Sequence, residues 1–173
     1  MKKCLALLVL SLSLSAFAAE PRILIACYSW GGNTRFAAEQ IQKAVGGTIF
    51  AITPVKAYPK NYRKCVAQAR REVAKNYKPA LKSLPDFSAY DVVFIGSPNW
   101  CGTIAPPVST FASHPGLKGK KVFLFVTHGR GGMQNCAVNL GKLVKVAAAA
   151  NFPGATVRKD AGKIQSWAKQ AVK

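Results

Sequence analysis

Residues 23–34, with the sequence ILIACYSWGGNT, contain the pattern that decides the fold. The first five of them are apolar without interruption, which is typical of a strand buried on both faces of a parallel sheet. A polar, glycine-rich turn from Ser29 to Thr34 follows at once. Ala37 and Ile41 then recur at helical spacing. The stretch therefore predicts a buried strand, a tight turn and a helix.

The same alternation continues along the chain and predicts one α/β domain with helices on both faces of a five-stranded parallel sheet. Apolar runs predict the remaining strands at Thr48–Ile52, Val92–Ile95 and Val122–Val126, with a weak one at Ala155–Val157. Periodic apolar positions predict helices at Lys60–Asn76, after Pro106, from Met133 to Ala147, and around Ile164 and Trp167.

The N-terminus has the features of an export signal. Lys2 and Lys3 precede an apolar run, and Ala16-Phe17-Ala18 offers a small-x-small cleavage site. The apolar stretch is shorter than the roughly 20 residues that cross a bilayer. We expect residues 1–18 to be a cleaved signal peptide, residues 19–173 to be the domain, and the bacterial periplasm to be its location. A retained N-terminal anchor is the alternative.

The chain is strongly basic. Lys and Arg number 25 against 6 acids among 173 residues, and loss of Lys2 and Lys3 lowers the net charge from +19 to +17. Such a surface favours acidic or anionic partners. No nucleic-acid-binding module is recognisable, so we expect no nucleic-acid partner. The cysteines that follow the leader lack metal-ligand spacing, and we expect no metal site.

Three segments follow predicted strands and would meet at the carboxyl edge of the sheet, where such folds bind ligands. The first, Ser29 to Thr34, can turn its backbone N–H groups and hydroxyls toward a phosphate, although an ordinary capped turn would look similar. The second, residues 97–103, places Trp100 where it could lie against a flat ligand or anchor the core. The third, Thr127 to Gly132, is either a contact loop or a plain glycine-rich connection.

These segments also resemble those of a known family. The segment Tyr28 to Thr34 resembles the FMN-phosphate loop of flavodoxins. Further similar motifs are Thr53-Pro54-Val55-Lys56, Tyr58-Pro59, Tyr62, Tyr90-Asp91, Gly96 to Thr103 and Phe125 to Gly129. The resemblance implies a three-layer, doubly wound sheet of strand order 2-1-3-4-5 and FMN as the cofactor.

By this resemblance, the turn after the first strand would hold the FMN phosphate, the other two segments would flank its ring system, and Trp100 would be the stacking residue. The implied FMN-binding residues are Ser29, Trp30, Gly31, Gly32, Asn33, Thr34, Pro98, Asn99, Trp100, Cys101, Gly102, Thr127, His128, Gly129 and Gly132. No catalytic residue is assigned.

Two positions depart from the family pattern. Gly31 stands where a hydroxyl residue is usual, and Cys101 stands where a second tryptophan is usual, so we expect weakened FMN binding. If Cys101 and Cys136 lie on neighbouring loops, they could form a structural or flavin-linked disulfide; two inert buried thiols are the alternative.

The resemblance implies an FMN-dependent redox protein that transfers electrons or reduces a small acceptor such as a quinone. A flavin-free binding protein that offers its basic surface to an acidic partner is the alternative.

Overall fold

The structure, a computed structural model, describes residues 20–173. The strands are β1 (Ile23–Cys27), β2 (Thr48–Ala51), β3 (Val92–Trp100), β4 (Thr103–Ile104), β5 (Lys121–His128) and β6 (Val146–Pro153). The helices are α1 (Asn33–Val45), α2 (Tyr62–Ala74), α3 (Pro106–Ala112), α4 (Cys136–Gly141) and α5 (Ala161–Val172), with short 3₁₀ turns at Phe87–Ala89 and Pro115–Leu117. The predicted signal peptide lies outside the described residues and stays a prediction.

Five parallel strands form the sheet in the order β2-β1-β3-β5-β6. The short strand β4 pairs antiparallel with the end of β3 and does not extend this path. Without β4, the order is the predicted 2-1-3-4-5, and the predicted α/β fold is confirmed. Strand β2 is added on one side of β1 and the later strands on the other, so the strand order reverses between β1 and β3. The carboxyl ends of these two strands are therefore the expected place for a ligand.

Side chains from each central strand alternate between two core layers, because successive residues of a strand point to opposite faces. On one face, Ile25 and Phe94 pack with Ile41 of α1 and Ile164 of α5. On the other face, the strands pack against residues of α2, α3 and α4, including Phe111. Helices therefore cover both faces of the sheet, and the carboxyl ends of its strands remain available to form a site.

Gly96 is required where β3 passes β5. A Cβ atom at this position would lie 2.3 Å from Cζ of Phe125 and 2.8 Å from Cβ of Cys27. Phe125 is fully buried, so the ring has no free space to move into. The absence of a side chain at Gly96 leaves room for the Phe125 ring against β3.

The sequence prediction was wrong for the segment after β5. The predicted helix from Met133 to Ala147 is only the short α4, and the last strand is β6 rather than Ala155–Val157. The alanines of β6 favour a helix in isolation. Parallel pairing with β5 along nearly its whole length overrides that local preference.

Among residues 20–173, no helix combines the length and apolar character needed to cross a membrane. The same part of the chain contains no group of three or more His, Cys, Asp or Glu side chains arranged to hold a metal ion.

Candidate functional site

A cavity of about 560 Å³ opens at the carboxyl edge of the sheet, over β1, β3 and β5. Its size is within the range of cofactor and small-molecule sites. The predicted residues that line it are Trp30, Gly31, Asn33, Thr34, Pro98, Asn99, Trp100, Cys101, Thr127, His128 and Gly129. The predicted residues that do not line it are Ser29, Gly32, Gly102 and Gly132. The three predicted segments do converge, as the parallel topology requires.

The loop between β1 and α1 presents backbone donors to this cavity. Gly32 precedes α1 in a left-handed conformation, with φ 87°, and as a glycine it offers no side chain to cap the first N–H groups of the helix. Ser29 lies outside the cavity wall, and its Oγ accepts a hydrogen bond from the N–H of Arg35 at 3.1 Å. The N–H groups of Asn33 and Thr34 donate to no other residue within 20–173. Free N–H groups and the positive end of the helix dipole suit a bound anion.

A buried hydroxyl pair fixes this loop against the end of β5. The Oγ1 atoms of Thr34 and Thr127 lie 2.7 Å apart, and both residues are buried. The backbone of Gly154, in the loop after β6, also lies close to the side chain of Asn33, since a Cβ atom at Gly154 would be 2.6 Å from Nδ2 of Asn33. The part of the cavity at the start of α1 is thus held by three separate segments of the chain.

Trp100 forms an aromatic wall of the cavity. Its ring makes edge contacts with Tyr28, at 5.3 Å between centroids and 88°, and with Tyr58, at 4.9 Å and 76°. Burial is the main cause that raises the pKa of both tyrosines, so both stay neutral at physiological pH. The tyrosines hold the indole in one orientation while the tryptophan remains half-buried at the cavity.

Asn99 connects the end of β3 to the loop after β5. Its Nδ2 donates to the carbonyl of Gly132 and to Oε1 of Gln134, both at 2.8 Å. Its Oδ1 accepts from the N–H of Gly102 at 3.0 Å. Gly102 and Gly132 therefore shape the wall of the cavity through Asn99.

His128 orders the loop after β5. Its Nδ1 accepts a hydrogen bond from the N–H of Gly132 at 3.1 Å, so the ring proton belongs on Nε2, which lies 3.0 Å from Oδ1 of Asn151. Both ring nitrogens are engaged within the protein. This arrangement supports a positioning role.

Helix α2 supplies a side of the cavity that the predicted site residues omit. Its lining residues are Tyr62, Cys65, Val66, Ala69 and Arg70. The apolar spacing of α2 was visible in the sequence, but spacing alone does not distinguish a core face from a cavity wall. Arg70 is the one lysine or arginine among the cavity-lining residues described.

The disulfide considered between Cys101 and Cys136 is not formed in the structure, where both are free thiols. Cys136 is fully buried and does not line the cavity, whereas Cys101 is exposed and does. The cysteine that shares the cavity with Cys101 is Cys65.

Comparison with known proteins decides the family. A family model described as flavodoxin matches residues 22–170. The chain belongs to the flavodoxin family. No curated protein matches this flavodoxin-family chain at a significant level.

Several solved structures share the fold. A protein from Bacteroides eggerthii DSM 20697, classed as a flavoprotein, is 30% identical, with a TM-score of 0.75 over 88% of this chain and 99% of its own. A similarly classed protein from Bacteroides uniformis ATCC 8492 is 26% identical, with a TM-score of 0.75 over 86% and 98%. A flavoprotein from Lactobacillus acidophilus NCFM, solved in complex with FMN, is 23% identical, with a TM-score of 0.66 over 80% and 97%.

Proposed function

We propose that this flavodoxin-family protein binds FMN in the cavity over β1, β3 and β5 and serves as a redox protein. The observation that carries the proposal is the convergence, in one cavity, of the donor-rich start of α1 and the aromatic wall at Trp100. FMN has a dianionic phosphate at one end and a flat ring system at the other. The two parts of the cavity match these two ends in chemistry.

The phosphate end would be held by the β1–α1 loop. Asn33 and Thr34 offer N–H groups without partners in the described chain, and the helix start adds positive potential. The loop is already ordered by the hydroxyl pair of Thr34 and Thr127. Little ordering cost therefore remains for the ligand to offset.

The ring end would lie along Trp100 and the loops after β3 and β5. When bound, FMN supplies one- and two-electron transfer. The protein would contribute orientation, partial exclusion of water and the positive charge of Arg70. Electron transfer, or reduction of a small acceptor such as a quinone, is the function that we propose for this arrangement.

The surface favours an acidic or anionic redox partner. Only three ion pairs join cationic side chains to acids within residues 20–173, so most of the positive charge is not neutralised. At the mouth of the cavity, the exposed rings of Trp30 and Tyr62 lie 6.3 Å apart between centroids. Tryptophan and tyrosine are enriched at interface hot spots, and a basic surface steers the approach of acidic partners.

We also propose export to the periplasm, which rests on the N-terminal pattern of residues 1–18. Intact-mass measurement of protein recovered from a periplasmic extract tests this. A mature chain that begins at Ala19 supports export, and a full-length chain in the cytoplasmic fraction contradicts it.

The proposed cofactor is tested by mixing the mature domain with FMN, desalting it and recording the visible spectrum. We expect retained flavin absorption in the wild type. Trp100→Ala should weaken FMN binding about fivefold to tenfold through loss of ring contact. Tyr77→Ala removes another exposed aromatic ring that does not line the cavity, and should leave FMN retention unchanged.

A colourless wild-type protein whose melting temperature does not respond to FMN would overturn the proposal. That result would favour the flavin-free alternative, in which the basic surface itself binds an acidic partner.

A further inference from the structure

Two cysteines from distant parts of the chain line the same cavity. Cys65 lies on the inner face of α2, and Cys101 lies in the turn between β3 and β4. Cys65 is 3% exposed, whereas Cys101 is an exposed residue. Trp100, the residue before Cys101, packs against the core cluster that contains Cys65, so α2 and the end of β3 meet at this wall.

The turn that carries Cys101 has an unusual residue for its geometry. Cys101 and Gly102 connect the antiparallel strands β3 and β4, and both have positive φ values, 53° and 84°. Two-residue turns of this kind prefer asparagine followed by glycine. A cysteine in the left-handed region costs about 1 kcal/mol or more. The chain keeps a strained thiol at the cavity, and such strain is frequent at functional positions.

The other two cysteines differ from this pair. Burial raises the pKa of Cys27 and of Cys136 to about 12 in each case. Neither lines the cavity. Among residues 20–173, neither lies beside a second cysteine on the wall of a cavity, so neither has a partner thiol there.

We propose that Cys65 and Cys101 form a reversible dithiol–disulfide pair on the wall of the cavity, which exchanges with external disulfide and thiol compounds. This activity does not depend on FMN and goes beyond the proposed function. Cys101 is the exchange residue because it is exposed, and Cys65 is the resolving residue because it is shielded.

In the oxidising direction, the Cys101 thiolate attacks one sulfur of an external disulfide. A mixed disulfide forms, the external S–S bond breaks, and one external thiolate leaves. Cys65, after losing its proton to solvent, attacks Sγ of Cys101 and releases the second external thiolate. The external disulfide has then been reduced to two thiols, and the protein has gained the Cys65–Cys101 bond.

The bond would join α2 to the β3–β4 turn across the wall of the cavity. In an oxidising compartment, which the N-terminal pattern predicts, the pair would report or transmit the local thiol redox state. In the reducing direction, an external dithiol reverses the same steps.

The test equilibrates the mature protein without added flavin in glutathione buffers from fully reducing to fully oxidising. Remaining thiols are alkylated, and disulfide-linked peptides are identified by mass spectrometry. We expect one linked pair, between the peptides that contain Cys65 and Cys101, with Cys27 and Cys136 alkylated only after denaturation.

Single variants separate the two roles. Cys65→Ser should retain a stable glutathione adduct on Cys101, because the resolving thiol is missing. Cys101→Ser should gain no adduct at Cys65, and Cys136→Ala should form the Cys65–Cys101 link like the wild type. Circular dichroism confirms that each variant is folded.

Free thiols at both positions under the most oxidising buffer would overturn the proposal, and so would a Cys101–Cys136 link. FMN retention, recorded on parallel samples, is scored separately, so loss of exchange and loss of FMN binding are distinguishable.

Discussion

The substitution Gly31→Ser is expected to tighten FMN binding. Gly31 lines the cavity in the β1–α1 loop, and a Cβ atom built there has no other atom within 4 Å. Its φ lies outside the left-handed region, unlike that of Gly32 at +87°. A serine therefore fits without backbone strain. By resemblance to other flavodoxins, this position usually carries a phosphate-binding hydroxyl.

The size of the effect follows from one added hydrogen bond. A hydrogen bond to a charged group contributes about 1.5–3 kcal/mol, and fixing the serine rotamer and removing its bound water offset part of this. A net gain of about 1 kcal/mol remains. Because about 1.4 kcal/mol corresponds to a tenfold change, the dissociation constant should fall about fivefold.

The assay titrates FMN with protein at constant ionic strength and records the quenching of flavin fluorescence. Gly31→Ala controls for the added Cβ atom without a hydroxyl and should bind like the wild type. Gly32→Ser places a side chain at a left-handed position and should weaken both binding and stability.

An affinity of Gly31→Ser equal to that of Gly31→Ala would refute the placement of the phosphate at this loop. A gain that is equally large for riboflavin, which has no phosphate, would refute it as well.

Other perturbations test separate parts of the structure. Arg70→Gln should lower the two-electron midpoint potential of bound flavin by about 20 mV in a spectroelectrochemical titration, because losing about 1 kcal/mol of favourable charge interaction disfavours electron uptake. Arg71→Gln is the control: Arg71 does not line the cavity, so the potential should shift less. Gly96→Ala should lower the free energy of unfolding by about 1–3 kcal/mol in urea titration, because its Cβ would overlap a buried ring; an unchanged midpoint would contradict the packing. Hydrogen bonds from the side chain and backbone of Arg22 lower the pKa of Asp91 to about 2. The stability from this pair is therefore present above the unfolded pKa near 4 and is lost as pH falls toward 2. In Asp91→Asn, the melting temperature should depend less on pH in that window. A pH profile identical to that of the wild type would contradict this.

Local patterns predicted the part of the site next to β1. An apolar run and a glycine-rich turn determine backbone conformation through neighbouring residues alone. The strand, the turn and the helix therefore lie where they were predicted. The convergence of the loops after β1, β3 and β5 also follows from parallel topology without tertiary detail.

The remainder depended on contacts that the sequence does not display. The alanines of β6 have helical propensity, and pairing with β5 decides their conformation. The apolar side of α2 has the same spacing whether it faces the core or a cavity, so the contribution of Arg70 was hidden. Sequence order likewise does not reveal that α2 brings Cys65, rather than Cys136, to the cavity wall that contains Cys101.

The most direct test of the account is the affinity of the wild-type mature domain for FMN, compared with its affinity for riboflavin under the same conditions. We expect FMN to bind and riboflavin to bind at least tenfold more weakly, since the start of α1 would lose its anion. Equal affinities would contradict the phosphate site, and no binding of either flavin would contradict the proposed function.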